Sequence, residues 1–88
     1  MRPCVGDVYR HFKGRIYVVV GYVINATNGA DPAPMVLYRP KDQIRGVQAT
    51  FFCRSLDEFL SPVDKEKYPD ATQYWRFEKI GELFWEEL

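Results

Sequence analysis

The sequence predicts a mainly β domain of the α+β class: a small antiparallel sheet of four or five strands, curled or closed into a barrel, with a C-terminal helix. Three observations predict it. Up to residue 54 the apolar and aromatic residues fall in short runs, headed by "IYVVVGYVIN" at residues 16–25. Such β-branched and aromatic stretches fill strands. Turn formers separate the runs: Lys13-Gly14, Asn28-Gly29, Asp31-Pro32 and the "PKDQIRG" segment. Finally, "ATQYWRFEKIGELFWEEL" places Phe77, Ile80, Phe84 and Leu88 at helical spacing, with Leu83 beside them.

Taken in order, residues 7–12 read as a short strand, and Lys13-Gly14 as a tight turn, since glycine tolerates positive φ. Residues 16–25 form a long strand whose two faces are both apolar, so it must be covered on both sides. Gly21 in mid-strand predicts a bulge or a sharp bend. The loop "ATNGADPAP" follows, then a third strand at residues 35–39. A fourth strand is expected at residues 47–54, with Val47, Ala49, Phe51 and Cys53 on one face and Gln48, Thr50, Phe52 and Arg54 on the other. Ser55 and Glu58 make a capping box for a single helical turn before Pro62, with Leu56, Phe59 and Leu60 turned to the core. A short fifth strand is expected at residues 62–64. The tail then reads as helix, weakened by Gly81. Eighty-eight residues suit one domain, a β-rich body at 1–64 with a tail at 65–88. Together these elements predict an SH3-like curled sheet or barrel carrying a C-terminal helix.

The net charge of zero hides an asymmetry. Residues 1–54 carry eight basic and three acidic side chains, a net +5; residues 55–88 carry four and nine, a net −5. Either the acidic tail meets the basic body, in this chain or in another subunit, or the body presents a positive surface to an anionic partner. A nucleic-acid partner is disfavoured by the balanced total. The start "MRPCVGDVYR" lacks a leader-like apolar stretch and no run is long enough to span a membrane, so the expected setting is the cytoplasm, with Cys4 and Cys53 reduced.

At "GDVYRHFKG" the sequence resembles a family of short bacterial and phage proteins of unknown function, marked by this YRHFKG stretch. The likeness continues through "VLYRP", "FFCRSLDEFLSPV" and "DKEKYPDATQYWRFEKI", from about Gly6 to Ile80. The last segment is close to a tail seen in phage-borne members. The resemblance implies a small, mostly β domain, often prophage-encoded, and no settled activity. Positions carried over by motif match are Tyr9, Arg10, His11, Phe12, Lys13, Gly14, Tyr38, Arg39, Arg54, Leu56 and Phe59. Where the family usually has a His-Ser-Glu-like stretch after the long strand, this chain has "NATNGADPAP", without histidine. The loop "PKDQIRGVQAT" is also longer than usual.

The residues argue for binding over catalysis. His11 is the single histidine, and a nucleophile pair would need a cysteine within about 3 Å of it. Cys53 is in phase with apolar neighbours and reads as core; Cys4 lies near a terminus expected to be mobile. One histidine and two distant cysteines do not make a zinc set, and phosphate-cradling glycine signatures are absent, so no metal, cofactor or catalytic residue is expected. An aromatic-plus-arginine theme recurs instead: Arg10 and Lys13 flank an aromatic, and Tyr38-Arg39 and Phe52-x-Arg54 repeat the theme on two further strands. Arginine offers a planar fork to phosphates, and aromatic rings stack on bases. If the strands are neighbours, Arg10, Arg39 and Arg54 converge on one face; otherwise each pairs with an acid such as Glu58, Glu78 or Glu82. The candidate ligand residues are Arg10, His11, Lys13, Tyr38, Arg39, Phe52 and Arg54.

The expected function is a non-catalytic phage or prophage protein sequestering a phosphate-bearing nucleotide signal of a host defence system. The alternative is an inhibitor or adaptor docking on a host protein through its acidic aromatic tail. Tyr74, Trp75, Phe77, Phe84 and Trp85 cannot all face one core from one helix, so a homo-oligomer is expected in either case.

Overall fold

The computed structural model describes residues 2–43 and 50–84. It holds β1 (Asp7–His11), β2 (Ile16–Val23), β3 (Met35–Pro40), β4 (Phe52–Ser55), α1 (Leu56–Phe59) and β5 (Phe77–Glu82). The strands form one antiparallel sheet in the order β4-β3-β2-β1-β5. The sheet is open, with β4 and β5 at its edges, and does not close into a barrel. Among the described residues no helix is long and apolar enough to cross a membrane.

Local chemistry explains the first elements. β1 turns into β2 through Gly14, at φ +107°, whose N–H donates to the His11 carbonyl. Val18 and Val19 are both fully buried, so the centre of β2 is covered on both faces, as its apolar pattern requires. The register of β2 against β3 slips between Val19 and Gly21, which places the bulge where it was expected. Gly29 takes φ +85° in the next loop. β3 runs antiparallel to both β2 and β4. Ser55 caps α1 by accepting the Glu58 N–H at 3.2 Å.

Several expectations are corrected. The tail is not a helix between residues 77 and 82: it is β5, paired with β1 from Asp7↔Glu82 to His11↔Phe77. The open edge of β1 needed a partner for its N–H and C=O groups, and that demand outweighs the helical spacing of Phe77 and Ile80. Phe84 is exposed; Trp85 and Leu88 lie outside the described residues. The strand expected at 62–64 is a single bridge, Pro62↔Trp75. Within the expected fourth strand, β4 covers only Phe52–Ser55, residues 44–49 lying outside the described ones, and Cys53 is exposed rather than core. Cys4 is exposed too, but its segment is tied down: Cys4 N–H donates to Asp7 Oδ2 at 2.9 Å, Gly6 N–H to Val19 O at 2.8 Å, and the Tyr22 hydroxyl to Pro3 O.

The core lies between the sheet and α1. It joins Tyr9, Val19, Val36, Tyr38, Leu56, Phe59 and Phe77. Phe59 of α1 stacks on Phe77 of β5 with ring centres 4.1 Å apart and planes 7° off parallel, and meets Tyr9 and Tyr38 edge-on at 5.1 and 5.7 Å. Aromatic pairs of this kind add about 0.5–1.5 kcal/mol each beyond the area they bury.

The bulge glycine and the turn glycine differ in what they need. A Cβ at Gly21 meets nothing within 4 Å and its φ is ordinary, so Gly21→Ala should be neutral or stabilising by up to about 1 kcal/mol in urea unfolding. Gly14→Ala forces a side chain into positive φ and should cost about 1–2 kcal/mol by the same measurement.

Candidate functional site

Residues directly opposite across an antiparallel ladder share a face, so the registers sort the candidate side chains. One face carries Tyr9, His11, Tyr17, Val19, Tyr38, Phe52, Arg54 and Phe77. The other carries Val8, Arg10, Ile16, Val18, Leu37, Arg39 and Cys53. The three arginines therefore do not converge. Arg54 stands on the aromatic face; Arg10 and Arg39 stand behind it.

Two of the three follow the ion-pair alternative. Arg10 pairs with Glu78 at 3.1 Å and donates from Nε to Gln73 Oε1 at 3.3 Å. Arg54 pairs with Glu58 at 2.6 Å. Arg39 donates to its neighbour's carbonyl, Pro40 O, at 3.1 Å. Exposed pairs of this type contribute little to stability, about 0–1 kcal/mol; their effect here is to fix where each guanidinium sits.

The aromatic face continues the core out to the surface. Tyr38 is buried, and Phe52 lies nearly parallel to it at 5.9 Å while remaining exposed. Tyr17 stands edge-on to Tyr38, Phe52 and Phe77 at 5.2, 6.0 and 6.1 Å. Arg54 lies against this wall, 5.9 Å from the Phe77 ring centre, and its Nε donates to the Tyr38 hydroxyl at 3.3 Å. Burial alone would weaken the charge on Arg54, but the Tyr38 hydrogen bond and the Glu58 carboxylate outweigh burial, and the guanidinium is held firmly protonated.

His11 closes the other end. Its ring lies 4.5 Å from Phe12, 5.0 Å from Phe77 and 6.4 Å from Tyr17. Nδ1 accepts the Lys13 N–H at 3.1 Å, so in the neutral ring the proton is on Nε2. Burial, then the charges of Arg54, Arg76 and Lys13, push its pKa down to about 4. Lys13 itself reaches over the Tyr68 ring at 5.0 Å. Thus His11, Tyr38, Phe52 and Arg54 share one face, while Arg10 and Arg39 stand on the other and Lys13 lies in the turn against Tyr68.

Sequence reasoning missed Tyr17, Phe77 and Arg76. Arg76 donates from Nε to Ser61 Oγ at 3.4 Å, and its carbonyl accepts the Phe12 N–H. Its signal was available: Trp75-Arg76 is a fourth instance of the aromatic-plus-arginine theme. Chemically, the arrangement offers cationic donors beside flat apolar rings. It brings no thiol to the imidazole, since Cys53 is on the opposite face and Cys4 lies beside Asp7, at the far end of β1 from His11. Among the described residues no three metal-ligating side chains gather.

Fold and site together define a small antiparallel β domain with an aromatic, cation-rimmed face. The chain belongs to a family described as "Protein of unknown function (DUF1653)", whose model matches residues 7–79. No curated protein and no solved structure matches it.

The state of His11 has a measurable consequence. Its folded pKa, about 4, lies below the unfolded value of about 6.5. Between these the unfolded chain binds the extra proton, so this residue's contribution is complete above about pH 6.5 and is lost as pH falls toward 4. Urea unfolding at about pH 7 and pH 5 should show a smaller drop in stability for His11→Gln than for the unsubstituted protein.

Proposed function

We propose that this protein is a non-catalytic binding protein for a small phosphate-bearing, nucleotide-like ligand, held on the aromatic face. One observation carries the reading: Arg54 is locked by Tyr38 and Glu58 against a wall of rings, with the exposed Phe52 at its side. Arg54 would hold the phosphate and Phe52 would stack on a base. Lys13 and Arg76 add positive charge near His11. Sequestration of a host-defence nucleotide signal by a phage or prophage protein fits the sequence resemblance, and a homo-oligomer fits the exposed aromatics. The strand order, with one helical turn between β4 and β5, supports an SH3-like reading of the fold.

A second reading, docking on a host protein, has its own support. Tyr74 and Trp75 are 60% and 48% exposed, 4.7 Å apart and edge-on. Their backbone is pinned. Val63 N–H donates to Tyr74 O and Arg76 N–H to Ser61 O, while Gln73 Nε2 donates to Arg10 O and Trp75 O. Large aromatics on a fixed backbone are the usual anchors of protein interfaces.

Calorimetry against cyclic dinucleotides and ADP-ribose derivatives tests the first reading. Binding should fall at least ~10-fold in Arg54→Ala, a loss expected for a charge-assisted contact, and stay unchanged in Arg39→Ala, on the opposite face. Silence across the panel at high micromolar concentration would sink it. Because β5 belongs to the sheet, the second reading is tested by substitution, not by deleting the tail. Tyr74→Ser with Trp75→Ser should abolish capture of the host protein while leaving the free energy of unfolding within about 0.5 kcal/mol of the original; undiminished capture rules it out.

A further inference from the structure

We propose that His11 is the proton partner of this site: an anion held by Arg54 on the aromatic face is bound together with a proton taken up by the imidazole. The inference rests on the binding reading above and concerns its regulation.

The geometry that supports it is a convergence on one ring. His11 and Arg54 both lie against Phe77, at 5.0 and 5.9 Å from its centre. Arg76 is the chain neighbour of Phe77, and its carbonyl holds the Phe12 N–H beside His11. Lys13 follows in the turn, its N–H on His11 Nδ1. Arg54 thus shares the Phe77 ring with the imidazole, while the Lys13 ammonium lies over Tyr68 and Arg76 Nε is on Ser61 Oγ. Tyr17 and Tyr38 present their rings from β2 and β3, Tyr17 6.4 Å from His11 and Tyr38 5.4 Å from Phe77. Glu58 of α1 is engaged by Arg54 at 2.6 Å, and Asp7 and Lys79, at the far end of the face beyond Tyr9, pair with each other at 3.4 Å. Arg10 and Glu78 pair on the opposite face.

In this setting a second proton on His11 is opposed by burial and by three like charges. A bound anion reverses the second of these causes. It sits beside Arg54, offsets the positive field at the ring, and accepts a hydrogen bond from Nε2. Linkage is reciprocal: whatever factor the anion adds to proton affinity, the proton adds to anion affinity. If the anion restores the imidazole to its ordinary range near 6, affinity at about pH 5 exceeds that at about pH 7.5 by ~10-fold.

Cyclic di-AMP is a suitable probe, because its phosphodiesters keep their charge across this range. Calorimetry at the two pH values, each in two buffers of different ionisation enthalpy, gives the affinity and the protons taken up. Because His11 is the single histidine, its ring proton resonances can be titrated unambiguously with and without saturating probe. The expected results are a ~10-fold tighter complex at the lower pH, a fraction of a proton absorbed there, and an upward shift of the His11 titration in the complex. In His11→Gln the ratio of the two affinities should fall to about one, whatever its absolute affinity. An unchanged His11 titration in the complex overturns the proposal, as does an undiminished pH ratio in His11→Gln; the binding reading survives either result. No binding at either pH would overturn the binding reading itself and this inference with it.

Discussion

The Phe59–Phe77 stack is the contact on which the molecule depends. It joins the one helical turn to the last strand, across most of the sheet's width. Without it, α1 is four residues of helix with too few internal hydrogen bonds to persist. The same stack positions Phe77 as the floor on which His11, Tyr17, Tyr38 and Arg54 rest. Core and candidate site are thus one aromatic assembly, buried at Phe59 and open at Phe52. The site gains rigidity from the core, and little side-chain freedom is left to lose when something binds.

Charge follows the same logic. The sequence's positive half and negative half meet within the chain through Arg10–Glu78 and Arg54–Glu58. Both pairs are part-exposed, so neither contributes much to stability. Their value is directional. Glu78 and Gln73 hold Arg10 on the back of the sheet, while Glu58 and Tyr38 hold Arg54 on the front. The +5 body is therefore not one positive surface. Around His11 the described charges are mostly cationic, and this local excess, rather than the overall balance, sets the chemistry of the face.

Much of the fold was legible because its signals were local. The β1–β2 turn, the β2 bulge, β3 and the Ser55 cap each rest on residues within a few positions of one another. β5 was not legible, because Phe77, Ile80 and Phe84 satisfy a helical period and the lysine and glutamates between them favour helix. What overrode them was the unpaired edge of β1, some seventy residues away, which no local pattern announces. The site was half legible for a related reason. Residue types and alternation named Arg10, Arg39 and Arg54, but the face each occupies depends on register. Register between β3 and β4 relates strands more than ten residues apart in the chain: Val36 meets Arg54 and Leu37 meets Cys53, and a slip of one residue would exchange Arg54 for Cys53.

The pairing of β1 with β5 also bears on how the molecule comes to be made. The first strand leaves the ribosome early, and its second neighbour is not available until residue 82 has been synthesised. Arg10 must wait for Glu78 and Gln73, more than sixty residues downstream. Closing so long a loop is entropically costly and slow compared with forming local turns. During synthesis the β2–β3 ladder can zip on its own, but β1 keeps an open edge and the core lacks Phe77. The β1–β5 ladder therefore follows the local turns and the β2–β3 ladder. The chain's exposure to aggregation, or to a chaperone, is greatest just before that last strand arrives.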